Sequence, residues 1–278
     1  MSPPATLFVV ATPLGNLGDL SHRAEEVLRT APVVAAEDTR RIRGLLSHLE
    51  AHPKVLSFHA HSPERRTEVL LQILAEGRDV ALVTDAGTPG ISDPGESLVA
   101  AVRSAGFGVV PIPGPSAVTT ALSASGLPAD RYLFLGFIPR KGRERGRLLA
   151  QVAACEWTVV LYEAPPRLAD LLADLEEVAG PGRHAVVARE LTKVFEEFRA
   201  GTVAELAAYY RETEPRGEIT VIVSGQPAGA SPVTPEDIGE RAVQLLASGI
   251  SRKDAVQQLV QDLRISRNEA YRIVTALP

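Results

Sequence analysis

A single cysteine, Cys155, excludes an internal disulfide framework and any cysteine-built zinc centre. Lysine is scarce as well: only Lys54, Lys141, Lys193 and Lys253 stand among 29 basic residues, so arginine carries nearly all the positive charge. No apolar stretch approaches the ~20 residues needed to cross a bilayer. The opening MSPPATLFVVATPLGN lacks the basic region and long apolar run of a secretory leader. A soluble protein without membrane attachment, in a reducing cytoplasm, is the expectation. The net charge of -5 argues against a chain-wide nucleic-acid binder, so only local clusters of arginine can serve such a partner. Two phosphate signatures are missing too. The stretch ATPLGNLGD has Thr12-Pro13 where a G-x-G-x-x-G fingerprint needs its first glycine, and no loop ends in G-K-[ST]. No Cys/His/Asp cluster has ligand spacing, so no metal is expected.

What is present is an alternating α/β pattern. The length of 278 residues and 45% hydrophobic content suit two α/β units with sizeable cores. LFVVA from Leu7, VVAAED from Val33, VLSF from Val55, VALVTD from Val80 and GVVPI from Gly108 read as strands, with helical spacing of apolar residues between them. Strand and helix in alternation predict a mainly parallel sheet over residues 1–128, with ligands beyond its carboxyl edge. From Tyr132 the strands YLFLGF, WTVVLYE, HAVVARE, VFEEFRAG and GEITVIVSG come closer together, the fourth as hairpin partner of the third, which predicts a mixed sheet over residues 129–226. After a Gly/Pro/Ala/Ser linker, helix starts at Thr234, Ser251 and Ser266 predict a small helical extension over residues 233–278, resembling a helix-turn-helix or else serving as a lid.

Three turns converge at the first sheet's expected carboxyl edge. ATPLGNLGDLSHRA follows the first strand, VTDAGTPGISDPG the fourth and PIPGPSAVTTAL the fifth. Glycines remove side chains and prolines stiffen the loops, so the pair of Gly/Pro turns favours a preorganised ligand pocket over rigid surface turns.

These turns, together with AAEDTRR, SFHAHSPERR, FLGFIPRKGRERGRLL, LYEAPPRL and GEITVIVSG in this order, resemble the tetrapyrrole-methylase superfamily. Within it, the chain resembles the bacterial 16S ribosomal RNA cytidine 2′-O-methyltransferases of the decoding region, over about Leu7 to Gly225. The resemblance implies a two-domain α/β enzyme, a homodimer, binding S-adenosylmethionine in the cleft between its domains and acting on 16S ribosomal RNA or the small subunit. Carried over to this chain, it implies cofactor contacts from Asp85, Ala86, Gly87, Ile91, Ser92, Ser116 and Ala117, and from Tyr162, Leu191, Gly217 and Ile219. The physical chemistry agrees: a sulfonium cofactor wants backbone donors and acceptors and tolerates a nearby acid such as Asp85, but needs no phosphate cradle.

A ribose hydroxyl is a poor nucleophile, so positioning and a base are both expected contributions. The candidate bases are Glu37, Asp38 and His59, with Glu37 and His59 preferred. Against them stand plainer roles: Glu37 and Asp38 as caps of the helix starting near Thr39, His59 as the end of a strand, and a reaction driven by alignment alone. For RNA, Arg140, Lys141, Arg143 and Arg145 lie in a Gly-spaced run, and Arg40 and Arg41 add to it. A tetrapyrrole-type small-molecule methyltransferase would have no use for that run or the tail; a nonenzymatic nucleotide sensor is the reading from another class.

Overall fold

The computed structural model describes residues 5–60, 62, 64–226, 235–263, 265 and 267–277, with backbone only for 235, 236 and 261. The expected helix starts at Thr234 and Ser266 lie outside these residues. The chain forms two compact units, Met1–Thr120 with Leu191–Val194, and Ala121–Glu190 with Phe195–Pro278.

In the first unit, β1 (Thr6–Val10), α1 (His22–Thr30), β2 (Val33–Ala36), α2 (Thr39–His48), β3 (Lys54–Ser57), α3 (Glu64–Ala75), β4 (Val80–Val83), α4 (Glu96–Ser104) and β5 (Gly108–Ile112) alternate as the hydrophobic pattern predicts. The strands form one sheet in the order β3-β2-β4-β1-β5, every pairing parallel. A central parallel strand is covered on both faces, which is why VVAA and VALV are continuously apolar. Their side chains alternate between two cores. Val34, Ala36, Ala81 and Val83 pack with Ala24 and Leu28 of α1 and Ile42 and Leu46 of α2. Val33, Ala35, Val80 and Leu82 pack with Leu70 and Leu74 of α3 and Leu98 and Val102 of α4. The sheet is therefore a filled sandwich, and its carboxyl edge is the place left for a ligand. There β2 leads outward to β3 while its neighbour β4 leads the other way to β5, so the crossover connections diverge between β2 and β4.

Helix α5 (Ala117–Ser125) follows β5 and ends before Gly126, whose φ of 72° suits a residue without a side chain. The second unit holds β6 (Tyr132–Phe137), α6 (Arg143–Ala154), β7 (Thr158–Glu163), α7 (Leu168–Ala179), β8 (His184–Arg189), β9 (Glu197–Thr202), α8 (Val203–Glu212) and β10 (Ile219–Val223). The order β6-β7-β10-β8-β9 joins one parallel pair, β6 with β7, to three antiparallel pairs, so the sheet is mixed as expected. Leu149 and Val152 of α6, Leu168, Leu171, Leu172 and Leu175 of α7, and Val203, Leu206 and Tyr210 of α8 cover one face.

Three tail helices, α9 (Pro235–Ala247), α10 (Arg252–Leu263) and α11 (Arg267–Ala276), share a core of Ile238, Ala242, Leu245, Ala255, Leu259, Ala270 and Val274. Ser251 caps α10 as its sequence predicts, its Oγ accepting from the Asp254 amide at 3.1 Å. Among the described residues no helix is long and apolar enough to cross a membrane.

Candidate functional site

The three carboxyl-edge turns of the first sheet are laced to one another. Thr12, just past β1, exchanges two backbone hydrogen bonds with Gly87: the Thr12 amide donates to Gly87 O at 2.9 Å and the Gly87 amide to Thr12 O at 3.0 Å. The Thr12 hydroxyl donates to Thr84 O at 3.2 Å, and the Thr88 hydroxyl reaches Pro115 O of the third turn at 3.1 Å. These ties hold backbone that glycine and proline alone would leave in the wrong place. Gly87 has φ 81°, and a Cβ there would stand 3.4 Å from Leu14 Cδ2. Its N–H donates to Thr12 O and its C=O accepts from the Thr12 amide, and without a side chain it leaves the backbone open to close approach. Farther along the same turn Ser92 adopts φ 62°, sparsely populated for a residue with a side chain, and Ile91 is exposed. Ser116 and Ala117 enter α5, with Ser116 O accepting from the Thr120 amide at 2.9 Å. Among the described residues, the buried Thr84 Oγ1, just past β4, has no hydrogen-bond partner. A buried orphan donor at a glycine-lined edge fits a polar ligand seated there.

Where the connections diverge, carboxylates gather. The Asp85 carboxylate accepts from the Asp38 amide at 3.1 Å and pairs with Arg41 at 3.4 Å. Asp38 is the N-cap of α2: its carboxylate accepts from the Arg40 amide at 2.8 Å and chelates the Arg40 guanidinium, also at 2.8 Å. Those bonds from Arg40 hold the Asp38 carboxyl down at about 2. Glu37 has no such role and is half-buried. Burial raises its pKa above the ordinary 4.5 and the Asp85 carboxylate pushes the same way, against the Asp85 backbone amide, Arg41 and His59. His59 follows β3, exposed, its amide donating to Ser62 Oγ at 2.8 Å. Glu37, Asp38, His59, Asp85 and Arg41 thus form one cluster in the first unit. Sequence spacing alone does not reveal Arg41 as the partner of Asp85, nor Thr12 and Thr88 as the ties.

Of the remaining candidates, Tyr162, Gly217 and Ile219 lie in the second unit, while Leu191, which follows β8, groups with the first. Tyr162 near the end of β7 lies opposite Thr220 of β10, and Ile219 opposite Glu163. The Tyr162 ring packs edge-on to Phe134 at 4.9 Å and tilted on Phe137 at 5.6 Å, and Phe137 is itself exposed. Gly217, at φ 85°, leaves no room for a Cβ, which would overlap the Glu190 carboxylate that accepts from the Glu218 amide at 3.1 Å. Leu191 is buried between two non-glycine residues of left-handed conformation, Glu190 at φ 51° and Thr192 at φ 67°; a β-branched residue there is an outlier.

The basic run begins where β6 ends. Arg140, Lys141 and Arg143 are exposed, and among the described residues they take no part in an ion pair or hydrogen bond. Arg145 differs: its Nε donates to Asp174 Oδ2 at 2.7 Å and its Nη1 to Pro139 O at 2.9 Å, inside the protein. Arg40 is committed to Asp38.

A family profile described as Tetrapyrrole (Corrin/Porphyrin) Methylases matches residues 6–207. A protein of Synechocystis sp. named ribosomal RNA small subunit methyltransferase I is 44% identical over 96% of this chain and 96% of its own length. One of the same name from Escherichia coli O157:H7 is 41% identical over 96% of this chain and 93% of its own. Among solved structures, uroporphyrin-III C-methyltransferase from Thermus thermophilus complexed with S-adenosyl homocysteine aligns at TM-score 0.55 and 19% identity, over 79% of this chain and 97% of that one. Diphthine synthase aligns at TM-score 0.63 and 16% identity, over 79% and 90%. At such identities the structural likeness speaks for the fold.

Proposed function

Because this chain belongs to the tetrapyrrole methylase family, and matches ribosomal RNA small subunit methyltransferases I over nearly its whole length, we propose that it methylates 16S ribosomal RNA with S-adenosylmethionine, at the ribose 2′-oxygen of a cytidine in the decoding region. The observation that carries the RNA reading over a tetrapyrrole substrate is the exposed turn of Arg140, Lys141 and Arg143, whose cations have no partner among the described residues and suit phosphates.

S-adenosylmethionine, when bound, supplies a methyl group on a sulfonium cation. Asp85, Ala86, Gly87, Ile91, Ser92, Ser116 and Ala117 line its proposed seat on the first sheet, and Tyr162, Leu191, Gly217 and Ile219 are the further contacts. The Asp85 carboxylate favours a cation nearby. Glu37 is the proposed acceptor of the ribose hydroxyl proton, since burial and Asp85 raise its basicity while it carries no capping duty. His59, beside it, is the second candidate.

The test is labelled methyl transfer to small ribosomal subunits, naked 16S RNA and a porphyrinogen, followed by alkaline hydrolysis of the RNA. The expected product is label in an alkali-resistant dinucleotide, because a 2′-O-methyl group blocks attack on the adjacent phosphate. Label in the porphyrinogen alone, or in no substrate, overturns the assignment, and label on a base removes its 2′-O part.

A further inference from the structure

The basic turn sits on a bracket of charges that is fully buried at Glu163 and largely buried at Arg145 and Arg167. Two successive carbonyls lead into it, Ile138 O and Pro139 O, and each is held by a different arginine. Arg167 donates from Nη2 to Ile138 O, while its Nε pairs with Glu163 Oε1 at 2.9 Å and its Nη2 with Glu163 Oε2 at 3.0 Å. Glu163 is fixed in turn: its side chain is fully buried at the end of β7 and its Oε1 accepts from the Ala164 amide at 2.7 Å. On the other side, Arg145 of α6 donates from Nη1 to Pro139 O at 2.9 Å and grips Asp174 of α7 with Nε at 2.7 Å and Nη2 at 2.5 Å. Arg145 leaves only 13% of its side chain exposed.

A buried Glu–Arg pair is weak evidence of stability, because desolvation offsets most of the Coulomb attraction. What such a pair does well is fix geometry, since guanidinium forks hold planar partners in one orientation. Here both forks close on the backbone directly ahead of Arg140, Lys141 and Arg143. Gly142, at φ 95° with open space around its missing side chain, would otherwise let that turn wander.

We infer that Arg145, with Asp174, and Arg167, with Glu163, are positioning residues that preorganise the turn for an RNA backbone, and that Arg145 does not itself touch phosphate. This rests on the RNA reading above. Ordering long side chains costs affinity at each one, so a bracket that sets their base in advance strengthens binding without adding a contact.

The two roles separate in the salt dependence of binding to full-length 16S ribosomal RNA transcribed in vitro. A lost phosphate contact lowers the slope of log K against log salt by about 0.7–0.9 per charge. Arg140→Gln is expected to show that loss. Arg145→Gln is expected to weaken binding by about tenfold through lost preorganisation, with the slope of the parent. Asp174→Asn removes the grip without removing a cation and is expected to behave alike, raising the KM for RNA while kcat at saturating RNA holds. Asp174→Asn is also the folding control, its melting temperature and affinity for S-adenosylmethionine expected to stay at parent values. A slope that falls in Arg145→Gln as in Arg140→Gln, or unchanged affinity in both bracket variants, overturns the inference. An unchanged slope when Arg140, Lys141 and Arg143 are neutralised together takes down the RNA reading and the bracket's role with it.

Discussion

Glu37 and Asp38 are neighbours of the same chemistry, yet the fold gives them different work. The sequence offers both as caps of one helix and both as candidate bases, with Glu37 preferred. Only the structure separates them: Asp38 takes the cap and is held down at about 2 by Arg40, leaving Glu37 half-buried with its pKa raised by burial and by Asp85. The sign of the pH effect follows. A base must be ionised to accept a proton, so turnover is expected to fall as pH drops through the raised pKa of Glu37, above the ordinary 4.5. Glu37→Gln should lower kcat by about 10²–10⁴-fold and erase that acid limb, while equilibrium binding of S-adenosylmethionine is retained. Because a raised carboxyl pKa makes the ionised form unfavourable in the folded state, the same change should not destabilise the protein at neutral pH. Full turnover in Glu37→Gln would leave alignment as the source of rate. Arg41 was legible as a cation but not as the partner of Asp85, since 44 positions of chain separate them and only the β2–β4 pairing brings them together.

Strands and helices follow their periodicity closely because each buries a continuous apolar face. β9 is the instructive exception. VFEEFRAG reads as one strand, yet pairing with β8 begins only at Glu197, and Val194 and Phe195 stand 94% and 71% exposed. Apolar residues that leave the sheet are indistinguishable in sequence from those that stay. The turns show the complementary limit. Their glycines and prolines announce a constrained edge, but the bonds from Thr12 to Gly87 and from Thr88 to Pro115 depend on which strands become neighbours. The order β4-β1-β5 supplies that, and no local pattern encodes it. Thr88→Val keeps the shape and removes the hydroxyl that reaches Pro115 O at 3.1 Å. It should cost about 0.5–1.5 kcal/mol of stability, read by denaturant unfolding, and weaken S-adenosylmethionine binding several-fold by calorimetry. Unaltered affinity would mean that the second and third turns keep their places without the tie.

At the scale of the molecule, each unit has its own core. α1 to α4 sandwich the first sheet, and α6 to α8 cover one face of the second. Leu172, fully buried on α7, is expected to cost about 2–5 kcal/mol when cut to alanine, with hydrogen exchange accelerating in the second sheet before the first; simultaneous acceleration in both would deny the cores their independence. The passage from a parallel to a mixed sheet was legible because strand spacing changes after Gly126. The path between the units was not. Leu191–Val194 groups with the first unit although the residues on either side of it belong to the second, and a Cβ on Gly15 would collide with Lys193 there. The polypeptide therefore changes allegiance three times, at Thr120, at Glu190 and at Val194. No single cut yields two whole units, and a gene fragment ending at Thr120 encodes a first unit missing its last piece. The two units are therefore interleaved along the chain rather than laid end to end.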